Sequence, residues 1–152
     1  MTFNIIGTGM YVPENTVTND DMAKIVDTND EWIKQRVGIS ERRLSTHETT
    51  SEMGYKAALA ALENAGVSAE EIDLIIASTV SGESICPSMS CKIQGMLGAK
   101  SVCYDINAAC SAFLFALEAA AGGVGAAAGA CEHDDALGAL LAQHGLQELG
   151  LV

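Results

Sequence analysis

The chain has 152 residues, 49% of them apolar and 18% charged, which is enough for one domain with a real core and excludes a disordered, collagen-like or disulfide-dense chain. Twenty acidic residues against eight basic ones give a formal charge of −12. That balance argues against a nucleic-acid binder that relies on phosphate neutralisation and against attachment to anionic lipid.

The first apolar run, Phe3–Ile6, is followed by Gly7-Thr8-Gly9 and Val12-Pro13, the pattern of a short buried strand and a turn. Thr18-Asn19-Asp20-Asp21 supplies a cap and an acidic first turn for a helix carrying Met22, Ile25 and Val26. A second helix is expected from about Asp30, ending before Gly38, and Arg42-Arg43 with the polar stretch to Ser51 reads as loop. Thr49-Thr50-Ser51-Glu52 opens a long helix that Gly66 terminates. Ser68-Ala69-Glu70-Glu71 fits a capping box with room for only a turn before the strand Asp73–Thr79. Leu74-Ile75-Ile76-Ala77 in that strand is apolar without alternation, as expected when both faces are covered. A polar loop runs from Val80 to Pro87, then a helix from about Ser88 to Leu97 that stops at Gly98. Ser101–Asp105 reads as a strand and Ala108–Ala121 as an Ala-rich helix. The order β, α, α, β, α, β, α points to an α/β fold, helices packed on a mainly parallel sheet.

Composition changes at Gly122: residues 122–130 are Gly, Ala and one Val, and residues 101–152 hold neither Lys nor Arg. Each Gly inside a helix costs about 1 kcal/mol relative to Ala, so the helix is expected to break here. A weak amphipathic pattern from Asp135 to Leu149 suggests a short terminal helix or a frayed tail. The chain therefore divides at this level into residues 1–121 and a Gly/Ala-rich departure over 122–152. Nothing approaches the roughly twenty uninterrupted apolar residues of a membrane span. With no export signal visible at the N-terminus, the five cysteines, which lack framework spacing, read as thiols of a reducing cytoplasm. Cys86 and Cys91 have no matching Cys/His pair at zinc spacing, so no metal is expected.

The most informative segment is Cys103-Tyr104-Asp105-Ile106-Asn107-Ala108-Ala109-Cys110-Ser111-Ala112-Phe113. A buried strand ends, a tight small-residue turn follows, and Cys110 stands near the head of a helix. Free backbone N–H groups and the positive end of the helix dipole favour a thiolate there. The same N–H groups suit an oxyanion formed when that sulfur attacks a thioester carbonyl. The plainer alternative, a small buried hydrophobe, is the commoner fate of a free cysteine.

Across residues 1–121 the chain resembles the N-terminal part of the β-ketoacyl-acyl-carrier-protein synthase III family, condensing enzymes of the thiolase superfamily. The resemblance is carried by four motifs in order: Gly7-Thr8-Gly9-Met10-Tyr11-Val12-Pro13-Glu14; Asp27-Thr28-Asn29-Asp30-Glu31-Trp32-Ile33 with Arg36-Val37-Gly38-Ile39-Ser40-Glu41-Arg42; Pro87-Ser88 through Ile93-Gln94-Gly95-Met96-Leu97-Gly98; and Asp105-Ile106-Asn107-Ala108-Ala109-Cys110-Ser111-Ala112-Phe113. It implies an incomplete thiolase-like half in which Cys110 is the acylated nucleophile. It implies that Trp32 and Arg36 hold the nucleotide end of coenzyme A, with Thr28 close by. Physically, Trp32 offers a face for stacking an adenine and Arg36, one turn on, offers donors to a phosphate. Taken alone, the two residues equally fit a core-edge aromatic and a surface ion pair. Cys86 falls where relatives often place a bulky aromatic lining the partner's acyl pocket, which would admit a longer or branched primer; the balance tips slightly towards an ordinary loop thiol.

The resemblance further implies acyl-coenzyme A and acyl carrier protein as partners, coenzyme A thioester as substrate with no separate cofactor, and a homodimer. The family's His and Asn, which act on the malonyl thioester, belong to its second half, and neither His133 nor His144 lies in a matching motif. Gly122–Asp135 faintly resembles a later Gly-rich family stretch, as if an intervening piece were deleted. Two functions follow: a condensing enzyme that takes an acyl group on Cys110 by a ping-pong mechanism, or an incomplete module that dimerises or binds acyl groups without condensation. A thiol redox protein is disfavoured because no Cys-x-x-Cys pair is present.

Overall fold

The computed structural model of the chain describes residues 4–127 and 138–143, with side chains up to Gly122. It divides into two compact units, one formed by Val12–Glu48 and the other by the sheet, its helices and the N-terminal segment to Tyr11.

In the smaller unit, β1 (Thr16–Thr18) pairs antiparallel with β2 (Glu41–Arg43), Val17 opposite Arg42. The sequence suggests a loop at Arg42-Arg43, but Arg42 has an interior role. Its side chain is 2% exposed; Nη1 donates to the carbonyl of Thr18 at 3.1 Å and Nη2 to Asn19 Oδ1 at 2.6 Å. Buried Asn19 in turn donates to Asp30 Oδ1 and to the Ile39 carbonyl. This chain of bonds satisfies groups that would otherwise be costly to desolvate, with Arg42 Nε left without a partner among the described residues.

The expected cap at α1 (Asn19–Met22) is a full capping box of Thr18 and Asp21, yet the helix is a single turn and leaves Ile25 75% exposed. A cap secures one turn; without an apolar surface for Ile25 to face, nothing extends it. The second helix, α2 (Asp30–Val37), is as expected, with Asn29 capping the Trp32 N–H and Gly38 closing it in the left-handed region at φ 74°.

The larger unit is built on β3 (Ile72–Ser78), flanked in parallel by β4 (Val102–Ile106) and β5 (Gly138–Gln143) in the order β4-β3-β5. Successive side chains of β3 point to opposite faces. On one face Ile75 and Ala77 pack with Ala58 and Leu62 of α3 (Thr50–Ala65) and Met89 and Ile93 of α4 (Met89–Leu97). On the other, Leu74 and Ile76 pack with Ala116 of α5 (Ala112–Ala127). Helices on both faces explain why the run is apolar throughout. Thr49 and Ser88 cap α3 and α4, and Gly66 and Gly98 end them with positive φ, as the sequence indicates.

Three expectations are corrected. Asn4–Ile6 is not in a strand, and Ile5 and Ile6 are more than half exposed. The edges of β3 are taken by β4 and β5, and the N-terminal segment instead lies along α3, where Thr8 N–H donates to Asn64. A Cβ on Gly7 would come within 2.6 Å of Ala65 Cβ, and one on Gly9 would collide with the α3 backbone at Ala61. Next, α5 continues to Ala127 instead of breaking at Gly122. Its Ala-rich body packs on β3 through Ala116, and that packing outweighs the glycine cost. Finally, Gly138–Gln143 is a strand where a short terminal helix or a frayed tail is expected. A short Leu-rich run fits either state, and the open edge of β3 supplies backbone partners that decide it. The remainder of that Asp135–Leu149 segment lies outside the described residues.

Candidate functional site

β4 ends at Ile106, Asn107-Ala108 follow, and a single 3₁₀ turn, Ala109–Ser111, leads into α5. Cys110 sits in the middle of that turn and is exposed. This is the strand–turn–helix placement expected from the sequence, and it is incompatible with a cysteine buried in the core. Ala109, immediately before it, has φ +46°. A non-glycine residue in the left-handed region carries strain of order 1–3 kcal/mol, of a kind that clusters at functional sites. Its effect here is to turn the chain sharply, so that Cys110 stands out ahead of the helix.

The turn is anchored from below by Asp105. Its two carboxylate oxygens accept from the N–H groups of Met89 and Ser90, both at 2.8 Å, fastening the end of β4 to the head of α4. Sequence reasoning places Asp105 in a motif but gives it no job. The available signal is a carboxylate at a strand's end, in a fold where a Ser-capped helix N-terminus must lie nearby.

Within the smaller unit, Trp32 and Arg36 come together one turn apart on α2. The guanidinium carbon lies 4.9 Å from the Trp32 ring centroid, and the ring is 52% exposed. A partly stacked Arg holds its donors in place while leaving the ring accessible. Thr28 is half-buried, and its Oγ1 is buried without a hydrogen-bond partner among the described residues. In the larger unit Cys86 is exposed, in the loop between β3 and α4.

That loop is fastened by Glu83. Its carboxylate accepts from Lys92 Nζ of α4 and from the Ser51 N–H of α3, beside an open recess of ≈ 420 Å³ that Cys91 and Met96 help to line. Burial pushes the Glu83 carboxyl up, but the Lys92 ammonium and the Ser51 donors more than offset it and hold it at about 2. A carboxylate depressed in the folded state adds stability above its unfolded value, near 4.3, and that contribution is lost as pH falls towards 2. Solvent screening of these side chains, about a quarter exposed, keeps the contribution at about 1–2 kcal/mol. Urea titrations from pH 6 to pH 2.5 should show this loss, and Glu83→Gln should flatten the slope; an unchanged slope in the variant would show that Glu83 is not its source.

The architecture, a parallel sheet with helices on both faces and a cysteine on a tight turn after a strand, is that of a thiolase-like half. No protein-family model matches the chain. It is 58% identical over 117 residues to β-ketoacyl-[acyl-carrier-protein] synthase III of Clostridium acetobutylicum, covering 76% of this chain and 36% of that protein. It is 54% identical over 119 residues to the same enzyme of Oceanobacillus iheyensis, covering 77% and 38%. The crystal structure of 3-oxoacyl-[acyl-carrier-protein] synthase III from Aquifex aeolicus superposes with a TM-score of 0.79 at 46% identity, over 83% of this chain and 41% of that one. The family of this chain is therefore β-ketoacyl-[acyl-carrier-protein] synthase III, of which it carries the N-terminal part. The chain spans little more than a third of the length of the curated relatives it matches.

Proposed function

We propose that the chain carries out acyl transfer from acyl-coenzyme A to Cys110, the first half of a fatty-acid-initiating condensation. The observation that supports this most is the exposed Cys110 on a strained turn at the head of α5, in a chain 58% identical to a synthase III. The Cys110 thiolate attacks the thioester carbonyl carbon, and backbone N–H groups at the head of the helix are suited to the oxyanion that forms. The tetrahedral intermediate then expels coenzyme A as its thiolate, which takes up a proton and leaves an acyl group on Cys110. Trp32 and Arg36 stack and bind the nucleotide end, with Thr28 close by, and Cys86 lines the acyl pocket of a second copy of the chain. The substrate thioester is the only small molecule this chemistry requires, with neither metal nor separate cofactor.

Condensation of the acyl-enzyme with malonyl-acyl carrier protein needs donors that polarise the malonyl carbonyl, which the family places in its second half. This chain alone is therefore an acyl-accepting module, working in the cytoplasm with acyl carrier protein as the eventual partner. Incubation with acetyl-coenzyme A should give one acetyl adduct by intact mass and no ketoacyl product when malonyl-acyl carrier protein is added. Trp32→Ala should raise the acetyl-coenzyme A concentration for half-maximal acylation by about tenfold, the loss of one stacking and cation–π contact. Absence of any adduct, or ketoacyl product from the purified chain, would overturn this reading.

A second copy of the chain is the partner that best fits the outer edge of β4. Among the described residues that strand lies at one end of the sheet, with Val102 61% and Tyr104 37% exposed, and α5 adds exposed Leu114 and Phe115. Bare edges and apolar faces of this kind are normally paired or covered. Sedimentation equilibrium at micromolar concentration should give twice the 15.8 kDa chain mass; a well-behaved monomer would refute the dimer.

A further inference from the structure

Besides Cys110 and Cys86, the described residues of the larger unit include two thiols that acyl transfer does not use. Cys91 lies in the first turn of α4, and Cys103 lies in β4, twelve positions later. The packing of α4 on β4, fixed by Asp105 on the Met89 and Ser90 N–H groups, brings their sulfurs to 3.4 Å, with Cys103 donating to Cys91. No Cys-x-x-Cys spacing announces the pair, because its members belong to different elements.

The two sulfurs are not equivalent. The Ser88 hydroxyl and then the Cys103 thiol lower the Cys91 thiol below its ordinary range, whereas burial, followed by its neighbour Cys91, pushes Cys103 up to about 11. Cys91 also lines the open recess beside Lys92, so it is reachable from solvent. An accessible, more acidic thiol with a second sulfur held against it is the arrangement of an attacking and a resolving cysteine.

We propose that Cys91 and Cys103 form a reversible dithiol–disulfide pair, oxidised through Cys91 by low-molecular-weight disulfides. The Cys91 thiolate attacks one sulfur of the oxidant, forming a mixed disulfide and expelling one thiolate, which takes a proton from water. Cys103 gives its proton to solvent and attacks the Cys91 sulfur, which releases the second thiolate. The protein loses two electrons and two protons, and the oxidant becomes two thiols. Closing the bond requires the sulfurs to approach from 3.4 Å to about 2 Å, and it ties α4 covalently to the strand that leads to Cys110.

The test is titration of the intact chain with oxidised glutathione, followed by alkylation of free thiols and peptide mapping. The expected result is a cross-linked Cys91–Cys103 peptide at about tenfold lower oxidant than any modification at Cys86 or Cys110, reversed by dithiothreitol. Cys103→Ser should instead trap a stable glutathione adduct on Cys91. Cys91 and Cys103 both recovered alkylated while other cysteines are modified would overturn the proposal, as would a folded Cys103→Ser protein with no adduct on Cys91. The mapping of the unsubstituted chain decides the matter if that variant does not fold. Because the readout is a disulfide within the chain and not an acyl adduct, failure of acyl transfer would leave it standing.

Discussion

Cys110→Ala is expected to abolish acylation by acetyl-coenzyme A, with no adduct above background in the intact mass spectrum. The variant removes the sulfur and little else, since the side chain is exposed and supports no core packing. Far- and near-ultraviolet circular dichroism and the urea midpoint should match the unsubstituted chain, because exposed positions away from such features usually move stability by about 0.5 kcal/mol or less. The decisive comparison is with Cys86→Ala, the other exposed thiol among the described residues, which should leave the adduct in place. An adduct that survives Cys110→Ala and disappears in Cys86→Ala would move the nucleophile to the loop before α4. Cys110→Ser retains the shape but substitutes a much weaker nucleophile at neutral pH, so slow or undetectable acylation is expected there too.

Ile75→Ala should be the most destabilising single truncation on the sheet, costing about 2–5 kcal/mol as the urea midpoint reads it. Ile75 is 0% exposed at the centre of β3, and its side chain joins α3 and α4 across one face of the sheet. The loss combines the transfer free energy of the deleted carbons with the cavity left between two helices that cannot both move in. Against the 5–15 kcal/mol that holds an ordinary domain together, this is a large fraction. Ile85→Ala is the control: Ile85 is wholly exposed in the loop before α4, and its truncation should cost about 0.5 kcal/mol or less. Equal costs at the two positions would mean that the core does not lie between β3 and its helices.

What could be read from the sequence was what neighbouring residues enforce. Capping at Thr49 and Ser88 and left-handed closure at Gly66 and Gly98 are local, and the helices they bound follow from them. The turn bearing Cys110 is local too, a strand ending against small residues. What could not be read depends on partners far along the chain. Gly138–Gln143 is a strand because β3 offers it an edge, and Asn4–Ile6 is not one because the edges of β3 are occupied. Arg42 looked like a loop cation because nothing nearby announces the carbonyls and the Asn19 amide that surround it. The meeting of Cys91 with Cys103 is likewise a product of helix-on-sheet packing. Motif resemblance indicated the family and the thiolase-like half, but not these distant pairings.

The smaller unit has a centre that is unusual in kind. Among the described residues its buried ones are Pro13, Asn19, Ile33 and Arg42, so half of them are polar and one carries a full charge. Unfolding such a segment exposes little oily surface, and the thermodynamic signature is a small heat-capacity increment and hence a shallow dependence of its stability on temperature. Cooling would weaken the sheet's grip, which rests on water-avoiding contacts, while leaving this guanidinium lattice nearly untouched.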